Sequence, residues 1–355
     1  MADSAYARAG VDPSRAERAI AGLVEVLRTI DPGRPPRSIV GTGHYAAVIA
    51  LDERTGIALC TDGVGSKVIV AEQLGRFDTV GIDCVAMNVN DLVCVGAEPL
   101  ALLDYIAVED ADPDMLRQVG EGLKAGAEQA GVEIPGGELA QLPELIRGHP
   151  SPRGFDLAAA AFGVVALDSV LSGDRIAHGD AVIGLPASGI HSNGLTLARR
   201  AMPDLGETPP GLGGRTVGEE LLVPTAIYVR AALDLLRSDV EVRGLAHITG
   251  DGLLNLVRVN AEVGWSIHSP LPLPPVFGLI AARGGVEEGD MWETFNMGCG
   301  FCCVVPASQA DAAVDLLARR HPGAAVIGSV TGEKGLVELP HARLAGRAGE
   351  GFRRG

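Results

Sequence analysis

The sequence predicts an α/β (α+β-like) chain of two domains. Three observations carry this. Apolar runs of strand length recur, among them "TGIALC", "ALLDYIAV" and "DLAAAAFGVVAL". Stretches with helical spacing lie between them, such as "FDTVGIDCVAMNVNDLVCVGA" and "PDMLRQVGEGLKAGAEQAGV". A polar stretch at 168–179, "DSVLSGDRIAHG", then interrupts the chain near its middle. The expected division is an N-terminal domain over 1–168, with a mixed sheet and helices, and a C-terminal α/β domain over 169–345. The Arg- and Gly-rich residues 346–355 are expected to fray.

A helix is expected from Pro13 to Thr29, stopped by "DPGRPPRS". "AAVIAL" and "TGIALC" read as strands, and the second delivers the loop "TDGVGSK" at 61–67. The 77–97 stretch reads as a helix, 101–108 as a buried strand, 113–132 as a helix ended near Gly131, and 156–167 as a buried strand. The second half opens with the strand "DAVIGLP", the loop "ASGIHSNG" and the helix "LTLARRAM". A Pro/Gly-rich loop fills 203–220 and a helix is expected at 225–238. "GLAHITGDGLLNLVRV" reads strand, glycine loop, helix. "MWETFNMGCGFCCVVP" leads into a strand, and "ASQADAAVDLLARRH" reads as a helix.

Composition narrows the function. At 355 residues with 47% apolar content, the chain can bury a large core. A net charge of −16 argues against nucleic-acid and anionic-membrane surfaces. It leaves room for phosphate ligands held by backbone N–H groups and a divalent metal. No signal-like start and no bilayer-length apolar run is visible, and the six cysteines lie in apolar contexts, so a cytoplasmic location is expected. The CxxC within "CGFCC" has no second ligand pair and reads as buried packing.

The loop at 61–67 fits neither familiar phosphate motif. Ser66 separates Gly65 from Lys67, and no third glycine follows. It offers Asp62, Gly63, Gly65, Ser66 and Lys67, one of only three lysines. An acid heading such a loop suits a metal bridging to phosphate; Asp-Gly after a strand also makes an ordinary turn. On the helix that follows, Asp83, Met87, Asn90 and Asp91 share one face among apolar neighbours. Such a buried polar stripe must face a cavity, a metal or an internal hydrogen-bond network. With Asp62 and Asp104, these acids could hold Mg²⁺. "GGELAQLP" adds a loop with Gly136, Gly137 and Glu138. "ASGIHSNG" offers His191, Ser192 and Asn193 before a helix. "HITGDG" offers Thr249, Gly250 and Gly252. Each of these also fits a capped turn.

The order of "AGVD", "TDGVGSK", "GIDCVAMNVNDL", "GAEPLALLDY", "GGELAQLP", "HSNG", "AHITGDG" and "FNMGCG" resembles aminoimidazole ribonucleotide synthetases, the phosphoribosylformylglycinamidine cyclo-ligases. The resemblance runs from about residue 5 to 335. It implies a two-domain α/β enzyme that forms a homodimer through its N-terminal sheets. It implies ATP and Mg²⁺ as cofactors, formylglycinamidine ribonucleotide as substrate, and ring closure through a phosphorylated formyl oxygen. It assigns Asp62, Asp91 and Asp104 to Mg²⁺–ATP, Lys67 to phosphate, and Gly63, Gly65, Ser66, Asn90, Gly136, Gly137 and Glu138 to the nucleotide site. His191, Ser192 and Asn193, with Thr249, Gly250 and Gly252, fall to the ribonucleotide, and Asp91, His191 and Lys67 to catalysis. This chain departs from the pattern at "GTGHYAAVI" (41–49), at Leu139, Gln141 and Leu142, and in having no lysine before Lys67; Arg28, Arg34 or Arg37 is the available substitute. A thiamine-phosphate kinase-like enzyme and a silent nucleotide-binding scaffold are the alternatives.

Overall fold

The computed structural model describes residues 13–354, so the "AGVD" stretch at 9–12 lies outside the described residues. The first sheet has six strands in the order β1-β2-β3-β6-β4-β5. These are β1 (Ser38–Val40), β2 (Ala47–Ala50), β3 (Thr55–Gly63), β4 (Glu98–Val108), β5 (Glu133–Gln141) and β6 (Phe155–Ala166). The β4–β5 pair is parallel and the other pairs are antiparallel. The parallel pair is bridged by the helix Pro113–Ala130, as a parallel connection requires. That helix starts where Asp112 accepts the Asp114 N–H with Pro113 at the first turn, and stops at the left-handed Gly131.

Along β6, Phe155, Leu157, Ala159 and Ala161 are buried while Asp156 and Ala160 are exposed. One sheet face therefore packs on the core and the other is uncovered. The helix Val80–Cys94 lies on the covered face. Thirteen of its fifteen residues are buried, which is what its near-continuous apolar sequence demands. It also reaches the second half of the chain, so it sits at the junction of the two sheets.

The second sheet has eight strands in the order β14-β13-β12-β9-β11-β7-β10-β8. They are β7 (Ala181–Pro186), β8 (Gly244–His247), β9 (Gly264–Ser266), β10 (Cys299–Val305), β11 (Ala325–Thr331), β12 (Val337–Leu339), β13 (Leu344–Arg347) and β14 (Gly351–Arg354). β7 and β10 are buried almost throughout, as their unbroken apolar runs require. The Cys299 and Cys302 thiols touch at 3.6 Å inside this core, and all six cysteines are free.

Two expectations are corrected here. The tail does not fray through Arg354: β13 and β14 pair as an antiparallel hairpin on the sheet edge, with Phe352 buried, and Gly355 lies outside the described residues. "GGELAQLP" is no loop either, because residues through Gln141 extend β5 beside β4. Ladder hydrogen bonds and apolar neighbours overrode the turn preference of Gly136 and Gly137.

Candidate active site

The first glycine loop leaves β3 and enters the helix Lys67–Leu74. It is docked on the loop at 187–194 and the helix behind it. The Ser192 hydroxyl donates to the Val64 carbonyl at 3.0 Å, and the Ser66 and Thr196 hydroxyls meet at 3.0 Å. Two loops far apart in sequence thus share one seam.

Lys67 does not face phosphate. Its ammonium is fully buried, 2.9 Å from the Asp83 carboxylate, and donates to the His191 carbonyl at 3.1 Å and the Val223 carbonyl at 2.6 Å. Three donors meet three partners, so none is left for a ligand. Asp83 also accepts from the Thr225 N–H and hydroxyl, at 2.8 and 2.6 Å. Burial drives the carboxyl of Asp83 up from its ordinary pKa, and Lys67 opposes it. The reading of Lys67 as a phosphate and catalytic residue is therefore corrected to a structural tie between the sheets.

Asp62 and Asp104 flank one residue. Ala159 of β6 pairs with Asp62 on β3 and with Asp104 on β4. Paired residues share a sheet face, so both acids point to the helix side, two strands or about 10 Å apart. Asn88 fixes the main chain of Asp62, accepting its N–H at 3.0 Å and donating to its carbonyl at 3.1 Å. The Asp62 carboxylate accepts from the Gly63 N–H at 2.7 Å. Burial pushes its pKa up; the Gly63 contact opposes this, and the nearby Asp91 charge adds to it. Asp104 is pushed up by burial as well. Its carboxylate lies across Gly137, where a Cβ would stand 2.4 Å from the Asp104 oxygen, so only glycine leaves that position open. Glu138 pairs with Tyr105 and thus belongs to the opposite face from Asp62 and Asp104. It is set apart from the acids with which the sequence grouped it.

The polar stripe on the buried helix splits in two. Asn90 is sealed, with both ends of its amide on main-chain partners at Ala226 and Tyr228. It ties the helix to the second half of the chain. Asp91 is partly open, and its Oδ1 lies 2.8 Å from His247 Nδ1. Beside it stand residues the sequence reading missed. The Arg258 guanidinium lies 4.3 Å from the Tyr45 ring centroid and donates to the His44 carbonyl at 3.2 Å. The Tyr45 hydroxyl donates to the Asn255 carbonyl at 3.0 Å. His44 Nδ1 accepts from the Tyr45 N–H, while its Nε2 is buried without a partner. The segment that departs from the resembled pattern, 41–49, therefore supplies side chains to the same junction. Only the lone basic residue in the short helix Leu256–Val259 hinted at this in sequence.

His191 adopts φ +60° and is almost wholly buried. Its Nε2 accepts from the Ser188 and Ala226 N–H groups at 3.2 and 3.5 Å. Burial holds its pKa well below the ordinary value. Its Nδ1 is buried without a partner, so the ring expected to carry a proton turns neither nitrogen to solvent. Asn193 Nδ2 is buried and unpartnered, and its Oδ1 sits beside Gly250. The Thr249 N–H and Asn255 close the third loop on itself at 2.7 Å. Gly252 also has a packing role. It holds φ +53°, and a Cβ there would stand 2.0 Å from the Trp292 carbonyl, so glycine is required for packing.

No group of three or more His, Cys, Asp or Glu side chains capable of holding a metal is assembled among the described residues. What is present is Asp62, with its pKa raised by burial and by the nearby Asp91 charge, and Asp91 itself 14% exposed. Two hard oxygen donors suit Mg²⁺, which takes its remaining positions from water and phosphate. No helix among the described residues is long and apolar enough to cross a membrane.

Residues 43–165 match the family model "AIR synthase related protein, N-terminal domain", and residues 177–339 match its C-terminal counterpart. The chain is 46% identical over 339 residues to a phosphoribosylformylglycinamidine cyclo-ligase of Methanothermobacter thermautotrophicus, covering 94% of this chain and 96% of that one. It is 46% identical over 337 residues to the Thermococcus kodakarensis protein of the same name, covering 93% and 96%. Among solved structures it resembles hydrogenase maturation protein HypE in complex with ATP, at TM-score 0.60 and 22% identity over 86% of each chain. It also resembles thiamine-monophosphate kinase from Stenotrophomonas maltophilia, at TM-score 0.60 and 22% identity over 85% of this chain and 91% of that one.

Proposed function

This chain belongs to the AIR synthase related family, and from that premise we infer that it is a phosphoribosylformylglycinamidine cyclo-ligase. It uses ATP to close formylglycinamidine ribonucleotide into 5-aminoimidazole ribonucleotide, releasing ADP and phosphate. ATP turns the formyl oxygen into a phosphate ester, an amidine nitrogen of the same molecule attacks that carbon with loss of its proton and closes the imidazole, and phosphate leaves. Such chemistry depends on positioning and charge neutralisation more than on a protein nucleophile.

The observation that carries this reading is the seam itself. Loops 61–67, 187–194 and 247–252 meet at the helix bearing Asp91. Asp62 and Asp91 are the acids we assign to Mg²⁺, with Asp104 on the same sheet face. Bound Mg²⁺ would neutralise charge on the transferred phosphoryl group. Asp62 presents its carboxylate from a main chain held by Asn88, and Asn193 offers an amide to the ribonucleotide from the facing loop. The sealed junction around Asn90 and Lys67 keeps water from the back of the site.

A homodimer fits the uncovered sheet face. Leu59, Leu103 and Tyr105 stand exposed there, with Ala160 and Phe162 between them by register. An apolar sheet face of that kind calls for a partner surface.

Incubation with formylglycinamidine ribonucleotide, ATP and Mg²⁺ tests the activity. Aminoimidazole ribonucleotide and free phosphate should appear together. Phosphate retained on an organic product would instead favour a kinase like the structural neighbour, and absence of ATP turnover would favour a scaffold.

A further inference from the structure

A chain of hydrogen bonds runs from main chain to Asp91, and its direction is fixed at the origin. Asn90 Oδ1 accepts from the Tyr228 N–H at 2.9 Å. Asn90 Nδ2 donates to the Ala226 carbonyl at 2.9 Å. An N–H can only donate and a carbonyl can only accept, so these partners decide which end of the amide is nitrogen. The second Nδ2 hydrogen is left for His247 Nε2, 3.4 Å away. That nitrogen must then accept, and the ring proton belongs on Nδ1. Nδ1 lies 2.8 Å from Asp91 Oδ1. His247 is fully buried, so water does not compete for either ring nitrogen, whereas Asp91 is 14% exposed.

We propose that Asn90 and His247 are positioning residues that fix the Asp91 carboxylate in one orientation, with its open edge toward the nucleotide. Asn90 sets the His247 tautomer, and the Nδ1–H holds Asp91. Because His247 ends β8 and Asp91 lies on the helix Val80–Cys94, the acid is oriented only when the two sheets are docked. The proposal rests on the assignment of Asp91 to Mg²⁺–ATP. In other proteins, partners that orient a metal-binding side chain are typically worth about 10- to 100-fold in affinity or activity.

The first test is ¹⁵N-histidine NMR of the full chain without nucleotide, with the His247 signals assigned by their loss in His247→Asn. A protonated Nδ1 and bare Nε2 are expected; a protonated Nε2 would overturn the proposal. The second test is kinetic. Asn places an amide N–H near the Nδ1 position, and Gln places it near Nε2. His247→Asn should keep turnover and Mg²⁺ half-saturation within about threefold, while His247→Gln should lose about 10- to 100-fold with unchanged urea stability. Equal behaviour of the two variants would overturn it. Asp91→Asn separates the two layers. If Asp91→Asn is inactive and His247→Gln is fully active, the positioning role fails alone. If Asp91→Asn is fully active, the underlying assignment fails.

Discussion

Lys67 and Asp83 form an ion pair that is wholly shut off from solvent, 2.9 Å apart, at the boundary between the two sheets. A charge in that position is costly when alone, so either partner without the other should be worse than neither. Lys67→Met should lower stability by about 3–5 kcal/mol, and the double variant Lys67→Met/Asp83→Leu should recover part of it. Urea unfolding of both variants checks this. A Lys67→Met protein of unchanged stability but weakened ATP use would return Lys67 to the phosphate.

Asp62 should matter to turnover far more than to folding. Its carboxylate is raised by burial and by Asp91, so the uncharged Asn relieves rather than creates strain. Asp62→Asn should leave the urea midpoint unchanged or higher while cutting turnover about 100-fold or more, as removal of a charge-stabilising group does elsewhere. A parallel loss of stability and activity would speak against this role.

His44 should make the fold acid-sensitive. Burial, with Arg258 beside it, lowers its pKa from 6.5 to about 4. Below pH 6.5 the unfolded chain therefore takes up a proton that the fold resists. The contribution is intact above 6.5 and is lost as pH falls toward 4, up to about 3 kcal/mol. His44→Gln should unfold with a shallower pH dependence than wild type between pH 7 and 4.5 in urea titrations.

Gly252→Ala should destabilise without touching a ligand. The new Cβ meets the Trp292 carbonyl, which is main chain and cannot swing aside, and φ is left-handed. A loss of more than about 2 kcal/mol is expected. Gly137→Ala is the contrast. There the clash is with the movable Asp104 carboxylate, so thermal unfolding should change little while ATP turnover falls.

The uncovered sheet face predicts the assembly. Leu103 and Tyr105 are 54% and 43% exposed. Leu103→Asp with Tyr105→Asp should convert a dimer to monomers in sedimentation equilibrium, because two carboxylates cannot be buried unpaired. A wild-type monomer at micromolar concentration would remove the dimer.

The sequence by itself determined the α/β class, the buried helix with its polar stripe, most helices and the long strands. Those features are local: an unbroken apolar run must be buried, and period and breakers set its ends. It also held the family, because "TDGVGSK", "HSNG" and "AHITGDG" recur in order. Short strands such as Gly264–Ser266 and Gly351–Arg354 escaped it, since three or four residues carry no period and exist only because a neighbour pairs with them. The fate of each polar residue was a matter for the tertiary structure alone. Lys67 and Asn90 look like ligands in one dimension but turn inward to carbonyls from the other half of the chain, and His191 turns inward to the Ser188 and Ala226 N–H groups of its own half. Asp62 and Asp91 keep an outlook on the junction, and His44, Arg258 and His247 arrive there from elsewhere. Spacing along a chain says which residues share an element; only packing decides which of them has its hydrogen bonds already filled.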